Sequence, residues 1–234
     1  MLKTLISLLL WPLVGIIFIL FFSFYLLLLL FIPVKKLHPI VKGGSKLMMF
    51  CAGQKLNVKG TPPKKTGEPY LYLFNHESMF DHFMLVSAVD HYISGVGKES
   101  QFSWPIWGFL IKKYGAIPIQ RSNLTSAIES LSLAEKEIKK GISFIISPEG
   151  TRTLSGSMGP FKKGAFHVAK NTGVTIIPTG IIGAYKAKKK YDWHLYPGTL
   201  TVNFGDPIYS GDYKDLTVEN LRDLVKEKIT NLIS

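Results

Sequence analysis

The chain of 234 residues contains a single cysteine, Cys51, so no intramolecular disulfide is available to it. That usage suits a reducing compartment. There is no Gly-x-Ser-x-Gly elbow and no His-Glu-x-x-His or paired-cysteine spacing, and the six histidines are scattered. The commonest serine-nucleophile and zinc-site patterns are therefore missing. No internal repeat occurs. Acidic residues are scarce: 16 Asp+Glu stand against 28 Lys+Arg, a net charge of +12. Such a balance favours anionic partners. No recognised nucleic-acid-binding motif accompanies it, so membrane head groups, a phosphorylated small molecule or an acidic carrier are the expected partners, and nucleic acid is not.

Charge is also missing from Leu5 to Val34, an almost unbroken apolar run interrupted mildly by Trp11-Pro12, Gly15 and Ser23. As a helix the run is about 45 Å long, enough to cross a hydrocarbon core of about 30 Å with tilt. It is too long for the apolar region of a cleaved signal peptide, and no small-residue cleavage site follows it. Next come Lys35, Lys36, Lys42 and Lys46, interleaved with Leu37, Ile40, Val41, Leu47, Met48 and Phe50. This basic amphipathic stretch suits an anionic bilayer surface, with the rest of the chain on the cytoplasmic side. Residues 1–54 are expected to form a membrane anchor and residues 55–234 a catalytic domain. A spanning helix and a two-helix anchor dipping into one leaflet both fit.

Beyond a Pro-, Lys- and Gly-rich linker, Thr61 to Pro69, the pattern alternates. Strands are expected near 55–59, 70–74, 93–97, 116–120, 142–146, 174–180 and 199–204. Helices are expected near 79–89, 103–113, 124–140, 163–171 and 217–232. Ser122 or Asn123 would cap the third of these helices and Gly141 would stop it. The alternation describes an α/β fold with a largely parallel, mixed-edged sheet.

The segment Asn75-His76-Glu77-Ser78-Met79-Phe80-Asp81 follows the apolar run Tyr70 to Phe74. On a continuous helix, residues five apart lie about 140° out of register. His76 and Asp81 can therefore meet only if a helix begins between them. Ser78 is the expected N-cap, with Asp81 in the first turn. Asp81 would then fix the imidazole tautomer and leave the other nitrogen free as a base. With no protein nucleophile pattern, the proton to be taken is a substrate's. His82 and His91 lack a comparable partner and read as surface or interface residues. A second segment, Ser147-Pro148-Glu149-Gly150-Thr151-Arg152, follows the apolar run Ile142 to Ile146. Its arginine offers a planar fork suited to phosphate, and Gly150 permits close backbone approach. The segment Gly115 to Arg121 is a short strand ending in an arginine, and Val174 to Pro178 is a buried-type strand carrying a proline.

The ordered set resembles the four blocks of the glycerolipid acyltransferase superfamily, most closely its 1-acylglycerol-3-phosphate acyltransferases. Asn75, His76 and Asp81 match the family's Asn-His-x4-Asp. Gly115 to Arg121 resembles its second block, Pro148 to Arg152 matches its third, and the region of Pro178 its fourth. Lys98, ending a strand, and Phe161-Lys162-Lys163-Gly164 also look like the family. The resemblance covers roughly residues 55–210. Glu77, Ser147 and Thr153 depart from the usual residues without removing a catalytic group. The resemblance implies a fold of the glycerol-3-phosphate acyltransferase type. It also implies transfer of an acyl chain from acyl-CoA or acyl carrier protein to the free hydroxyl of a lysophospholipid, with neither metal nor organic cofactor. His76 would be the base and Asp81 its partner. Arg152, with Lys98 and Arg121, would hold the acceptor phosphate. Glu149 would orient Arg152 or the acceptor glycerol, with Gly150 and Thr151 alongside and oxyanion donors near Gly150. Another lysolipid acceptor, or a non-catalytic binder of anionic membranes, remains as the alternative. A binder has no need of the His76–Asp81 pair.

Overall fold

The computed structural model describes residues 1–64 and 67–234. Lys65 and Thr66, inside the expected linker, lie outside the described residues. The seven expected strands form one sheet. They are β1 (Gln54–Lys59), β2 (Tyr70–Phe74), β3 (Ile93–Lys98), β4 (Ile117–Ile119), β5 (Ser143–Ile146), β6 (Thr175–Ile182) and β7 (Gly198–Phe204), in the order β1-β7-β6-β2-β5-β3-β4. Strands β6, β2, β5, β3 and β4 run parallel. Strand β7 is antiparallel to β6, and β1 pairs parallel with β7. The sheet is therefore mixed only toward the β1 edge. The carboxyl ends of the parallel strands share one rim, where open α/β sheets bind ligands.

Strand β2 is central, and all five of its residues are buried. Strict alternation divides it between two cores. Tyr70, Tyr72 and Phe74 face a cluster with α2 (His38–Cys51) and α3 (Asp81–Ala88). Leu71 and Leu73 face another with α5 (Leu124–Lys139), α6 (Gly164–Thr172) and α9 (Val218–Ile233). Helix α5 begins where expected: Asn123 Oδ1 accepts the Ser126 N–H at 3.1 Å. Just beyond it, Gly141 takes φ +83°, a left-handed turn that favours glycine. Helix α4 (Trp107–Lys113) and the short helices α7 (Ala184–Ala187) and α8 (Ser210–Tyr213) complete the chain.

Helix α1 (Leu2–Leu29) passes through Pro12 without interruption. A turn at Pro33 leads through a short 3-10 segment into α2. Contacts to the rest of the fold run along the length of α1. Near its start, the Leu195 N–H donates to Ser7 Oγ at 2.9 Å and Trp11 Nε1 to the Trp193 carbonyl at 2.7 Å. Farther along, Phe18 meets Trp107, and the Phe21 ring occupies the space a Cβ on Gly44 would need. Its other face, including Leu5, Leu9, Leu13, Ile16 and Leu20, is exposed. Helix α2 continues into the fold: Met49 and Ala52 lie in the core, and His38 Nε2 bonds the Val89 carbonyl at 3.0 Å.

The two faces give α1 and β2 opposite sensitivities. Leu71→Ala, at a fully buried site, should cost about 2–5 kcal/mol in denaturant unfolding. Leu5→Ala, on the open face of α1, should stay within about 0.5 kcal/mol. An equal loss at Leu5 would mean that this face packs inward.

Candidate active site

The β2–β6 ladder ends at Phe74 opposite Thr179. Asn75 extends it with a side chain. Its Oδ1 accepts the Ile181 N–H at 2.7 Å, and its Nδ2 donates to the Ile181 carbonyl at 2.9 Å. The amide thus replaces one rung of the ladder and fixes where the chain leaves the sheet. His76 is the first residue beyond that rung.

The turn that follows differs from the expected Ser78 cap. Helix α3 starts at Asp81, and Ser78 uses its hydroxyl to donate to the Lys188 carbonyl at 2.8 Å. Asp81 itself does the capping, but backward. Its carboxylate accepts the N–H of Glu77 at 2.8 Å and that of Ser78 at 3.0 Å. A carboxylate serves several donors at once, with charge-assisted bonds a hydroxyl cannot match. The same carboxylate lies 2.7 Å from His76 Nδ1, so the expected pair is formed. With Nδ1 engaged, Nε2 makes no hydrogen bond among the described residues.

His76 is 6% exposed and Asp81 0%. Burial, and then the charges of Arg121, Arg152 and Lys190, depress the imidazole to about 3. It stays neutral at physiological pH, the form able to accept a proton. Burial pushes the Asp81 carboxyl up to about 7, against the opposing pull of the Ser78 and Glu77 amides. His82, expected to be a surface or interface residue without a partner, has one. Its ring meets that of His76 edge-on at 5.8 Å, and burial, then His76, lower it to about 4. Phe74 packs edge-on against both rings. His91, expected at a surface or interface, is instead buried in the core within hydrogen-bonding distance of Tyr72 Oη and Ser143 Oγ.

Strand β5 lies beside β2 and delivers the second loop to the same rim. Glu149 does not bond Arg152. Its Oε1 accepts the His76 N–H and its Oε2 the Gly159 N–H, each at 2.7 Å. Burial raises its carboxyl while these amides oppose the rise. The Thr153 N–H donates to the His76 carbonyl at 2.8 Å, so both main-chain groups of His76 are held by this loop. Thr153 Oγ1 also accepts from Gly156 N–H at 3.0 Å and donates to the Ser157 carbonyl at 2.7 Å, closing the turn after Arg152. Gly150 takes φ +69°, but its N–H is used by the Ser147 carbonyl at 3.1 Å. Of the amides near it, those of Glu149, Thr151 and Arg152 have no protein acceptor among the described residues.

Arg121 and Arg152 make no ion pair among the described residues. Burial, then the Arg152 charge, lowers Arg121. Lys98 ends β3 on the same rim and is exposed, but it is not one of the cations acting on His76. Lys190 takes that place. Its Nζ donates to Thr151 Oγ1 at 3.0 Å. Glu77 also has a job sequence did not disclose. It accepts the Tyr185 N–H at 2.8 Å at the start of α7, and burial raises it to about 7. Nothing local marks these partners; they lie more than a hundred residues away along the chain for Glu77.

An acyltransferase family model matches residues 55–182, more than half of the chain. The chain belongs to the acyltransferase family. It is 34% identical over 167 residues to the chloroplastic 1-acyl-sn-glycerol-3-phosphate acyltransferase BAT2 of Brassica napus, spanning 71% of this chain and 48% of that protein. It is 33% identical over 155 residues to the 1-acyl-sn-glycerol-3-phosphate acyltransferase of Haemophilus influenzae, spanning 66% and 62%. With the coconut (Cocos nucifera) protein of the same description, 29% identical, the match spans 58% of the relative's length, so the chain corresponds to roughly half to two thirds of these relatives. The crystal structure of the 1-acyl-sn-glycerophosphate acyltransferase PlsC from Thermotoga maritima superposes with a TM-score of 0.85 at 22% identity, covering 98% of this chain and 93% of that one. The acyltransferase fold expected from sequence is the fold observed.

Glu149 holds two amides, and a carboxamide can accept only one of them. Glu149→Gln should leave the other N–H facing an NH2 group, at a cost of about 1–3 kcal/mol. Hydrogen exchange at His76 and Gly159 should accelerate while the α9 amides keep their protection. Unchanged protection at both amides would show that the loop is held by other contacts.

Proposed function

We propose that this protein transfers an acyl chain from an acyl thioester to the free sn-2 hydroxyl of 1-acylglycerol-3-phosphate, giving phosphatidic acid. The observation that carries the reading is the 2.7 Å bond between His76 Nδ1 and Asp81, which leaves a neutral Nε2 beside two guanidinium groups that make no ion pair among the described residues. The relatives' shared description supports the same acceptor.

In this reaction His76 Nε2 takes the proton from the acceptor hydroxyl as that oxygen attacks the thioester carbonyl. Asp81 keeps the Nδ1–H in place and compensates the imidazolium that forms. The tetrahedral intermediate then collapses, the C–S bond breaks, and the imidazolium returns its proton to the departing sulfur. General base catalysis of this kind contributes about 10²–10⁴-fold. The unengaged Thr151 and Arg152 amides are the oxyanion donors in this scheme. Arg152, Arg121 and Lys190 hold the acceptor phosphate. Glu149 acts on the base, by fixing its main chain, rather than on the acceptor. The reaction needs only its two substrates, with either acyl-CoA or acyl carrier protein as the donor, and no metal or organic cofactor.

Helix α1 and the basic stretch ahead of and within α2 keep the protein on the cytoplasmic face of an anionic membrane. Because α1 touches the domain along its length while its outer face is open, it lies in one leaflet with the domain beside it. Both acyl chains can then stay in lipid while the head group reaches the rim.

Purified protein in anionic vesicles, given labelled acyl thioester and a panel of lysolipids, tests the reading. Phosphatidic acid should form from 1-acylglycerol-3-phosphate far faster than product forms from acceptors lacking the phosphate. His76→Ala should lose at least about 100-fold in transfer and keep its melting temperature. Arg152→Lys keeps the charge but loses the planar fork, so it should raise the KM of the acceptor much more than that of the donor. Equal use of uncharged acceptors, or a rise confined to the donor's KM, would contradict the assignment.

A further inference from the structure

Apart from Lys190, the segment joining α7 to β7 has no part in the chemistry described above, yet it is built with care. The buried Lys188 ammonium donates to the carbonyls of Lys189 and Asp192. The Asp192 carboxylate accepts the His194 N–H at 3.0 Å, His194 Nδ1 at 2.6 Å and the Tyr196 hydroxyl at 3.1 Å. These bonds hold the loop in shape and turn two large rings outward. Tyr191 is 81% exposed and Trp193 47%, the latter stacked on the His194 ring at 4.4 Å. Rings displayed on a rigid loop lose little conformational freedom when a partner covers them.

The position of the loop says what that partner is. It is bonded to the first half of α1 through Trp11 and the Trp193 carbonyl, Ser7 and the Leu195 amide, and Thr4 and His194. There α1 exposes Leu5, Leu8 and Leu9, so an open apolar helix face runs directly into an exposed indole and phenol. Lys189 is exposed on this segment, and Lys186 on the adjoining α7. Apolar helix, then Trp and Tyr, then lysine is the order of groups met on leaving the hydrocarbon of an anionic bilayer. An acidic protein would suit the lysines, but not an apolar face continuous with a membrane helix.

The geometry points to residues 189–193 as a second bilayer contact, in which Tyr191 and Trp193 seat in the head-group layer of an anionic phospholipid membrane beside the first half of α1. The contact has a consequence for the site. Lys190 lies between Lys189 and Tyr191 and bonds Thr151, and the preceding Lys188 carbonyl receives the Ser78 hydroxyl. The segment that meets the membrane therefore carries one of the cations beside His76. The binding arm of the test below stands without the acyl-transfer reading; the kinetic arm rests on it.

Full-length Tyr191→Cys carrying an environment-sensitive fluorophore is added to vesicles of phosphatidylglycerol and phosphatidylcholine. Gly211→Cys, exposed on α8 near the opposite end of the sheet, serves as control, and the buried Cys51 is replaced by serine in both. Emission should shift to the blue at residue 191 and not at residue 211, and the shift should shrink when phosphatidylglycerol is left out. In the kinetic arm, Tyr191→Ser combined with Trp193→Ser should raise the apparent KM for vesicle-borne acceptor about tenfold and leave a dispersed short-chain acceptor unaffected. No shift at residue 191, equal shifts at both positions, or a loss confined to acyl carrier protein as donor would overturn the proposal; the last would make the loop a carrier-docking surface. Inactivity of the unsubstituted protein toward every lysolipid would refute the proposed reaction while leaving the binding arm decisive.

Discussion

Everything proposed for the site depends on how firmly one histidine is held. His76 is bound through its N–H to Glu149, through its carbonyl to the Thr153 N–H, and through Nδ1 to Asp81. Those contacts join β2, β5 and α3, so the imidazole is fixed by three elements that the sheet order brings to one rim. Remove any of them and the free nitrogen is no longer aimed. Asn75 belongs to the same constraint, since its two bonds to Ile181 decide where β2 stops and the turn carrying His76 starts.

The acids and bases of the rim divide their work unequally. Asp81, Glu149 and Glu77 each spend carboxylate oxygens on main-chain amides. None of them pairs with Arg121 or Arg152. Two guanidinium groups and the Lys190 ammonium are thereby left to a ligand, and their field helps to keep His76 neutral. An anionic acceptor entering this field would be attracted, and it would also ease the protonation of His76 that the proposed reaction requires. Repulsion among these cations thus becomes charge pairing once an anionic acceptor is bound.

Much of this was legible from residue order. The seven strands announce themselves because each is a short apolar or alternating run bounded by turn residues, and β2 is buried on both faces as Tyr70 to Phe74 suggests. The meeting of His76 and Asp81 was legible too, because only a helix starting between them reconciles their spacing. The cap was misassigned to Ser78 since a serine there is locally sufficient, whereas Asp81 wins by serving Glu77, Ser78 and His76 together. Glu149, Glu77 and Lys190 could not be read. Their partners are set by which strand ends and loops the sheet brings together, and no local pattern carries that information. His91 shows the same limit: its place among Tyr70, Tyr72 and Ser143 follows from how β2 and β5 pack, not from its neighbours in sequence.

The central claim is that His76 is a neutral imidazole with its proton on Nδ1 and its Nε2 free. Nitrogen-15 NMR of imidazole-labelled protein in detergent micelles, titrated with acid, reads this directly. His76→Gln supplies the assignment of the signal. Burial and the charges of Arg121, Arg152 and Lys190 favour the neutral form, so protonation should require a pH well below the ordinary value of 6.5. Arg121→Gln removes one of those charges and should move the titration upward. Protonation near 6.5 with no response to Arg121→Gln, or a proton resident on Nε2, would contradict the account.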